Sequence, residues 1–424
     1  MVYVHVPFCR SFCTYCGFYS EVCRDVSAAG TYIKDLCSEA ADRAEEIRAT
    51  RATDTLYIGG GTPSVLPLSA LRDIVETVRT AGGYAEGEPF AEFTIEVNPE
   101  DIVEKGAAYA SGLRSLGADR ISMGIQSFDD GLLRWMNRRH TAARAVEAMD
   151  ILRTAGFGNI SIDLIFGISR RHSGESEGSG SRHPDEVWEE TLDRAISLAP
   201  EHISAYQLSV EDGSALAAQV EAGRYAEASD DFCRHQYDLL CRRLAGAGYR
   251  HYEISNFARP GFEARHNSAY WRRVPYVGLG PGAHSFSVCR AERCGNEGPA
   301  AGDGTDSGGM KVREIRRWNS ETPTGWTASE ERLTPEDARV ETLMLGLRTD
   351  LGLPAERLFA LAAPGTAERL LAEGALTECS MPDLSADASG GERSLGTEDM
   401  RAVRRIRIPE DHFFVSDEII RELI

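Results

Sequence analysis

The first 255 residues alternate short apolar runs with longer amphipathic segments. The short runs are rich in β-branched residues and have the length of buried strands. They cover residues 3–6, 55–58, 93–97, 120–125, 161–166, 203–208 and 250–254. The segments with helical periodicity cover residues 28–48, 68–81, 104–116, 141–155, 185–198 and 228–246. This alternation predicts a parallel sheet with crossover helices, and six or seven such units favour a barrel or an open barrel.

The pattern changes after about residue 330. Helical segments at 335–347 and 354–373 precede two short strand patterns at 402–408 and 412–416, with Pro409-Glu410-Asp411 as the turn, and a last short helix. Helices followed by a small hairpin are typical of a winged-helix unit. Arg401, Arg404, Arg405 and Arg407 form a basic patch there, which we interpret as a solvated face rather than a nucleic-acid site.

Three stretches have the composition of surface loops rather than of helices or strands. Residues 170–184 and 295–310 are rich in Gly and Ser, and residues 381–398 are polar with adjacent glycines.

The charge balance argues against two classes of partner, nucleic acids and anionic membranes. The 424 residues carry 46 Lys and Arg against 66 Asp and Glu, a formal net charge of −20. Nucleic acid and anionic membranes both bind basic faces, so we expect neither as a partner. No apolar run approaches the roughly 20 residues that span a bilayer, so we expect no direct membrane insertion. The first residues lack the charged and apolar regions of a secretory signal peptide, which predicts a cytoplasmic protein.

Three of the ten cysteines form the most specific pattern in the chain. In a reducing compartment, clustered cysteines indicate a metal or catalysis rather than disulfides. Cys9, Cys13 and Cys16 follow the first predicted strand directly, at the end where βα barrels build their sites. A structural zinc site would need a fourth ligand, such as His5 or Cys23. Three closely spaced thiolates better fit a [4Fe–4S] cluster with one iron free to bind a small molecule.

Polar residues at the ends of later strands could bind that molecule. Gly59-Gly60-Gly61-Thr62-Pro63 ends the second strand, where glycines permit a close approach of backbone groups. Glu96, Gln126 and Asp163 lie on the third, fourth and fifth strands. Each alone could be a satisfied polar group inside a barrel. Together with the cysteine loop on the first strand, they indicate a binding site.

In this order, the Cys-x3-Cys-x2-Cys, Gly-Gly-Gly-Thr-Pro, Glu-Val-Asn-Pro and Gly-Ile-Gln-Ser-Phe motifs resemble those of the radical S-adenosylmethionine enzymes. More narrowly, they resemble the branch that holds the oxygen-independent coproporphyrinogen III oxidases and the HemW family of heme chaperones. The resemblance implies an α/β fold, a partial (β/α)6 TIM-type barrel with a small C-terminal helical, winged-helix-like domain. The expected divisions are 1–250 for the barrel, 251–330 for a connecting segment and 331–424 for the C-terminal domain.

The resemblance also implies roles for individual residues. Cys9, Cys13 and Cys16 would hold the [4Fe–4S] cluster, whose fourth iron would be chelated by S-adenosylmethionine. Positions that match S-adenosylmethionine contacts are Tyr3, Tyr15, Gly60, Gly61, Thr62, Glu96, Gln126, Arg138 and Asp163. The implied chemistry is one-electron cleavage of the sulfonium to methionine and a 5′-deoxyadenosyl radical.

Two features favour the chaperones over the oxidases. The oxidases carry a further cysteine two residues after the third ligand, where this chain has Phe18, and an N-terminal arm that the start of this sequence leaves no room for. The chain also carries the His-Asn-x-x-Tyr-Trp motif of the heme chaperones at 266–271, which makes His266 the predicted ligand of heme iron. Arg265, Arg272 and Arg273 beside it would pair with heme propionates.

The resemblance therefore predicts a heme chaperone that passes heme to apo-hemoproteins and forms a homodimer, without coproporphyrinogen oxidase activity. The alternative is a radical enzyme that acts on coproporphyrinogen III. One departure affects the site: after Phe166-Gly167 the family continues with a Leu-Pro-x-Gln-Thr-like turn, whereas this chain has Ile168-Ser169-Arg170-Arg171 and then the Gly/Ser-rich insertion. This departure affects the cofactor contacts that follow Asp163 and does not affect the cluster.

Overall fold

A computed structural model of the chain describes residues 1–22, 27–169, 182–290, 304–305, 311–382 and 402–424. Its strands are β1 (Val2–Val6), β2 (Phe8–Cys9), β3 (Glu21–Val22), β4 (Thr55–Gly60), β5 (Glu92–Val97), β6 (Arg120–Gln126), β7 (Ile160–Phe166), β8 (His202–Gln207), β9 (Arg250–Glu253), β10 (Asn256–Ala258), β11 (Val277–Leu279), β12 (His284–Arg290), β13 (Gly304–Thr305), β14 (Lys311–Asn319), β15 (Ala328–Arg332), β16 (Leu353–Pro354), β17 (Thr377–Pro382) and β18 (Ala402–Arg407). Its α-helices are α1 (Ser27–Asp42), α2 (Ala44–Ala49), α3 (Leu68–Gly82), α4 (Pro99–Ser115), α5 (Asp130–Trp135), α6 (Ala142–Thr154), α7 (Pro184–Ser197), α8 (Ala215–Glu221), α9 (Asp230–Gly246), α10 (Arg265–Trp271), α11 (Pro335–Leu347), α12 (Ala355–Leu361), α13 (Thr366–Glu373) and α14 (Ser416–Leu423).

The main sheet has nine strands in the order β11-β1-β4-β5-β6-β7-β8-β10-β9. Six of them, from β1 to β8 in this order, are parallel and are joined through helices. Strand β11 adds a parallel edge beside β1, and β10 and β9 add an antiparallel edge beside β8. The sheet is open, so the predicted partial (β/α)6 arrangement is confirmed, with three more strands than the βα pattern alone requires.

The two faces of the parallel strands differ in chemistry. Side chains alternate between faces along a strand, and the face packed on the helices is apolar, with Ile58, Ile95 and Leu164 fully buried. Tyr57 and Asp163 follow the opposite alternation and line an internal cavity. A sheet with one apolar and one polar face therefore separates the core from the site.

Three helix predictions differ from the structure at their ends. The segment 28–48 is two helices, α1 and α2. Helix α4 starts at Pro99 rather than near 104, because proline is favoured in the first helical turn, and Gly106 with φ +70° interrupts it. The segment 354–373 is interrupted at Pro364-Gly365 and forms α12 and α13. The pattern missed the short helices α5, α8 and α10.

The C-terminal elements form the predicted winged-helix-like arrangement. One of the strands predicted for it is wrong. Helices α11, α12 and α13 accompany a three-stranded sheet in the order β16-β18-β17. The partner of β18 is β17, whereas the predicted strand at 412–416 is a 3₁₀ helix over Glu410–Val415 with Phe413 fully buried. A run of three apolar residues does not distinguish a strand from a single helical turn.

The arginines of β18 have acceptors within the chain. Arg404 pairs with Glu378, and Arg407 lies 3.5 Å from a Glu410 oxygen. Arg405 donates to the carbonyls of Leu351 and Gly352 at 2.8 Å. Arg401, and most of the three predicted surface loops, fall outside the described residues. The domain limits near 250 and 330 stay a prediction. Within the described ranges, no helix combines the length and apolarity needed to cross a bilayer.

Glu39 of α1 joins the main sheet to the segment that follows it. Its carboxylate accepts hydrogen bonds from the Gly280 amide at 2.9 Å, Asn319 Nδ2 at 2.8 Å and Trp326 Nε1 at 2.9 Å. Arg43 Nη1 lies 3.2 Å from the same carboxylate, and the side chains of the pair are only 3% and 9% exposed. One buried carboxylate thus satisfies four donors from different parts of the chain.

We predict that Glu39→Ala lowers the free energy of unfolding by about 3 kcal/mol, because three donors lose their acceptor at about 1 kcal/mol or more each, while Arg43 keeps Glu46 as its second carboxylate partner. Urea unfolding followed by circular dichroism measures this change. Glu45→Ala, at an exposed position of α2, is the matched control and should stay within about 0.5 kcal/mol of the parent. Equal effects of the two substitutions would contradict the role given to Glu39.

Candidate cofactor-binding site

A cavity of about 690 Å³ lies at the C-terminal ends of the parallel strands and extends along their polar face. The loop that carries the three clustered cysteines forms one wall. The strands contribute Tyr57, Gly60, Glu96, Ser122, Gln126, Asp163, Ser204 and Tyr206 to the lining. The cysteine loop and the strand ends therefore form one site, as the sequence predicted.

The cysteine loop is held against the end of α5. Cys9 is the last residue of β2, and Cys13 and Cys16 follow on the loop; all three line the cavity. Between them, the Thr14 amide donates to the Met136 carbonyl at 3.0 Å. The Thr14 hydroxyl donates to the Trp135 carbonyl at 2.8 Å. The loop is thus fixed by backbone acceptors, which leaves its thiols facing the cavity.

A single-ion site does not fit this loop. Within the described residues, no three His, Cys, Asp or Glu side chains converge on one metal-ion position. Both ring nitrogens of His5 are engaged, Nδ1 with the Tyr3 hydroxyl and Nε2 with the Tyr19 carbonyl, each at 3.0 Å, and Cys23 is outside the described residues. In a [4Fe–4S] cluster each thiolate binds a different iron, so thiols spread around one cavity fit the cluster better than zinc.

Burial controls the protonation of these thiols. It raises the pKa of Cys9 and raises the pKa of Cys16 to about 11. Without a metal, both thiols are protonated at neutral pH. Coordination to iron would deprotonate them, because a nearby cation stabilises the thiolate that burial penalises.

The glycines that end β4 allow a close contact inside the protein. Gly60 has φ +108°, and a Cβ atom there would lie 2.7 Å from the His5 ring. A Cβ atom on Gly61 would lie 2.8 Å from the Phe8 carbonyl oxygen. The sequence predicted that these glycines open the backbone to a ligand, and both do line the cavity. Their steric requirement, however, comes from packing against the strand that leads into the cysteine loop.

Two carboxyl groups lie in the wall of the cavity. Glu96 accepts from the Tyr57 hydroxyl at 2.6 Å and from the Gly60 amide at 3.1 Å. The Ser122 hydroxyl lies 3.3 Å from each oxygen of Asp163. Burial raises the pKa of Glu96 to about 7, and the charge of Asp163 contributes; burial also raises the pKa of Asp163 to about 6. Both groups can accept hydrogen bonds from the hydroxyls and amines of a polar ligand.

Arg138 supplies positive charge near the cysteines. Nη2 donates to Asn98 Oδ1 and to the Gly124 carbonyl, each at 2.6 Å, and Nη1 lies 3.4 Å from Cys13 Sγ. Its Nε is buried without a partner among the described residues. Beside it, a register shift in β6 places Gln126 at φ +68° in the cavity wall. An unsatisfied guanidinium donor beside three thiols fits a ligand with a carboxylate.

The predicted contacts are therefore mostly brought together. Those that line the cavity are Cys9, Cys13, Cys16, Tyr15, Gly60, Gly61, Thr62, Glu96, Gln126, Arg138 and Asp163. Tyr3 and His266 are not among its lining residues. The Tyr3 hydroxyl bonds to His5 behind the wall, so a contact of Tyr3 with a cofactor stays a prediction.

His266 occupies a structural position. Its side chain is buried, with Nδ1 2.8 Å from the Thr55 hydroxyl and Nε2 3.0 Å from the Tyr270 hydroxyl. Burial lowers its pKa to about 3, so the ring is neutral. Since both ring nitrogens are engaged and the ring lies outside the cavity, this geometry does not support the prediction that His266 binds heme iron. Its neighbour Asn267 does line the cavity.

The arginines beside this motif differ in availability. Arg273 pairs with Glu314 at 2.6 Å and with Glu341 at 3.1 Å, and its side chain is only 10% exposed. Arg265 is exposed. The prediction that these arginines bind propionates is thus not supported for Arg273.

Several lining residues were not predicted. Asn98, Ser122, Ser161, Ser204 and Tyr206 also contact the cavity. Two of them lie two positions from a predicted residue on the same strand or at its end, which is the spacing of side chains on one face. Applied to Glu96 and Asp163, this rule would have found Asn98 and Ser161.

Comparisons with known proteins show which family the chain resembles. The Radical SAM superfamily model matches residues 3–172. The chain is 32% identical to the heme chaperone HemW of Synechocystis over 83% of this chain and 78% of that protein. It is 33% identical to HemW of Mycobacterium tuberculosis over 88% of each chain. Coproporphyrinogen III oxidase HemN of Escherichia coli has a similar fold, with a TM-score of 0.67 at 20% identity over 100% of this chain and 89% of that chain.

We predict that Glu96→Gln makes the stability of the cofactor-free protein less dependent on pH. The pKa of Glu96 is raised from 4.5 to about 7 in the folded state, so the folded chain binds more protons than the unfolded chain between these values. The stability contributed by this group is therefore complete below about pH 4.5 and is lost as the pH rises through about 7.

Urea midpoints measured from pH 5 to pH 8 test this. The parent should lose more stability over that range than Glu96→Gln. The glutamine oxygen can still accept from the Gly60 amide and its NH2 group can donate to the Tyr57 oxygen, but the side chain carries no charge. Glu76→Gln, at an exposed position of α3, should follow the parent. Parallel pH profiles for the parent and Glu96→Gln would disprove the prediction.

Proposed function

This chain belongs to the radical SAM superfamily and, within it, to the family of the HemW heme chaperones, and from this membership we propose that it binds heme and delivers it to apo-hemoproteins. The observation that carries the proposal is the match of 32–33% identity over at least 83% of the chain to HemW proteins. The cavity supports it, because a site with the cysteine loop and polar strand ends is intact.

The residues of the cavity have distinct parts in this proposal. Cys9, Cys13 and Cys16 would hold a [4Fe–4S] cluster, and the Arg138 guanidinium, which lines the cavity, would pair with the carboxylate of S-adenosylmethionine. Glu96 would accept hydrogen bonds from the cofactor while Tyr57 fixes its position. When bound, the two cofactors supply one-electron cleavage of a sulfonium. The chain itself orients the ligand and excludes water from it.

Aromatic side chains at the cavity offer a place for the heme macrocycle. Phe12, Phe18 and Tyr206 are 52%, 74% and 44% exposed, and all three line the cavity. They are half of the six large hydrophobic side chains that are exposed among the described residues. Exposed aromatic rings that line a cavity are suited to a flat apolar ligand. We therefore place the macrocycle on this aromatic rim, defined by Phe12, Phe18 and Tyr206, rather than at His266.

The rival function is oxidation of coproporphyrinogen III. The fold shared with HemN does not decide between the two functions, because at 20% identity it supports the architecture alone. Phe18 stands where the resemblance to the oxidases implies a further cysteine, and it is the most exposed residue of the aromatic rim. A ring in place of a thiol favours binding over redox chemistry. The homodimer, the cytoplasmic location and the identity of the apo-hemoproteins are further parts of the proposal.

We predict that the anaerobically reconstituted protein binds heme in a saturable, stoichiometric manner and does not consume coproporphyrinogen III. Heme binding is followed by the Soret absorbance. In a parallel sample with S-adenosylmethionine and dithionite, the porphyrinogen is oxidised chemically after the incubation and separated by chromatography. Consumption of the porphyrinogen in the absence of heme binding would replace the chaperone function with the oxidase function.

We also predict that Phe12→Ala combined with Phe18→Ala weakens heme binding by about tenfold, or about 1.4 kcal/mol, because stacking and apolar contact are lost. Val146→Ala, which removes an exposed hydrophobic side chain of α6, should leave the affinity unchanged. His266→Ala should lower the unfolding midpoint, since Thr55 and Tyr270 lose their partner, but leave heme affinity unchanged. If folded His266→Ala loses heme and the rim variant retains it, the iron ligand is His266 and the rim is not the site.

A further inference from the structure

A continuous path of hydrogen bonds connects two of the three clustered thiols. Cys9 Sγ lies 3.4 Å from the Thr62 hydroxyl, which accepts from Asn98 Nδ2 at 3.1 Å. Asn98 Oδ1 accepts from Arg138 Nη2 at 2.6 Å, and Arg138 Nη1 donates to Cys13 Sγ at 3.4 Å. We call Thr62, Asn98 and Arg138 the thiolate relay. It runs behind the cysteine loop and contacts Cys9 at one end and Cys13 at the other.

The chemistry of the groups fixes the direction of the bonds that join Arg138, Asn98 and Thr62. A guanidinium only donates, so the amide oxygen of Asn98 must face Arg138 and the amide nitrogen must face Thr62. The Thr62 oxygen then accepts, which leaves its proton for Cys9. When the two cysteines are thiolates, both ends of the relay donate to sulfur. The cation at Arg138 polarises the path, since hydrogen bonds in series strengthen one another.

The side chain of Asn98 is available to bind Arg138 because it does not cap the helix that follows it. Asn98 precedes α4 at the N-cap position, where an asparagine side chain ordinarily bonds to the first helical amides. Here the side chain makes no capping bond, and its own backbone amide donates to Ser64 Oγ at 3.1 Å. A Cβ atom on Gly124 would lie 3.3 Å from both Asn98 Oδ1 and Arg138 Nη2. Glycine at 124 therefore leaves the room that the pair occupies.

We propose that the thiolate relay positions the Cys9 and Cys13 thiolates and raises the reduction potential of the cluster, an inference that rests on the proposed cluster site. Hydrogen bonds to the sulfurs are one of the determinants of cluster potential. A donor withdraws negative charge from sulfur and so favours the reduced, more negative cluster. Thr62 and Asn98 are positioning residues in this proposal, and Cys16 lies outside the relay.

The test compares variants of the full chain after anaerobic reconstitution, with potentials measured by dithionite titration and electron paramagnetic resonance of the reduced cluster. Thr62→Val removes the Thr62 hydroxyl, which hydrogen-bonds to Cys9 together with the Ser20 side chain, whereas Thr62→Ser keeps this hydroxyl. Thr154→Val is the matched control, because Thr154 is exposed at the end of α6 and does not line the cavity. Iron and sulfide contents and circular dichroism are compared first, so that only folded, loaded proteins are titrated.

At a fixed potential, Thr62→Val should hold about tenfold less reduced relative to oxidised cluster than the parent, which corresponds to ~59 mV for one electron. Thr62→Ser and Thr154→Val should stay close to the parent. A parent-like Thr62→Val, or a Thr154→Val that shifts as far, would overturn the relay.

Asn98→Asp tests the direction of the bonds independently. The introduced carboxylate would accept from both Arg138 and Thr62, so the Thr62 proton would turn away from Cys9. In the Asn98→Asp background, adding Thr62→Val should then change the potential little, a non-additivity that a double-mutant cycle detects. Additive shifts would overturn the relay. A parent that takes up no more iron than a Cys9→Ala, Cys13→Ala, Cys16→Ala variant would instead overturn the cluster site itself.

Discussion

The parallel pairing of β1 with β4 is the constraint on which the site depends. This register places Val6 opposite Gly60. The pairing continues past both strand ends, where the Gly61 amide donates to the Val6 carbonyl at 2.8 Å and the Thr62 amide donates to the Phe8 carbonyl at 2.7 Å. Backbone hydrogen bonds thus bring Thr62 beside the cysteine loop before any cofactor binds. A side chain at Gly60 or Gly61 would separate the two strands and move the cysteines away from the rest of the cavity.

The polar face of the sheet has a cost in stability that the rest of the fold offsets. Glu96 and Asp163 have raised pKa values because their charged forms are poorly solvated. Neighbouring hydroxyls and a backbone amide lower this cost without removing it. Polar groups held ready for a ligand in this way need no reorganisation when it binds. The fully buried aliphatic residues on the other face of the same strands supply the stability.

The sequence predicted the arrangement of the barrel better than its edges, for a physical reason. Parallel strands buried on both sides give continuous apolar runs, so β1, β4, β5, β6, β7 and β8 were all recognised. Strand β11 has only three residues, and its Gly-Leu-Gly surroundings do not differ from a loop. The predicted strand at 412–416 failed because β18 pairs with β17, which precedes it by twenty residues. Pairing between distant segments leaves no local signal.

The site was predictable where a residue contributes through its own chemistry and not where it acts through a neighbour. Cysteine spacing and carboxyls at strand ends are visible in the sequence. By contrast, the contact of Asn98 with Arg138 is not visible in the sequence, because an asparagine before a proline is also the ordinary pattern of a helix N-cap. Whether its amide caps α4 or binds Arg138 depends on the approach of β6, which brings Gly124 and Arg138 together.

The histidine of the His-Asn-x-x-Tyr-Trp motif illustrates the same distinction. Its ring centroid lies 5.2 Å from that of Tyr57, and its nitrogens join β4 to α10. Tyr57 in turn donates to Glu96, so His266 reaches the cavity through one intervening ring. In this position the ring supports Tyr57, and Glu96 through it, in the wall of the cavity. In this chain the motif therefore contributes to that wall without placing its imidazole among the residues that line the cavity.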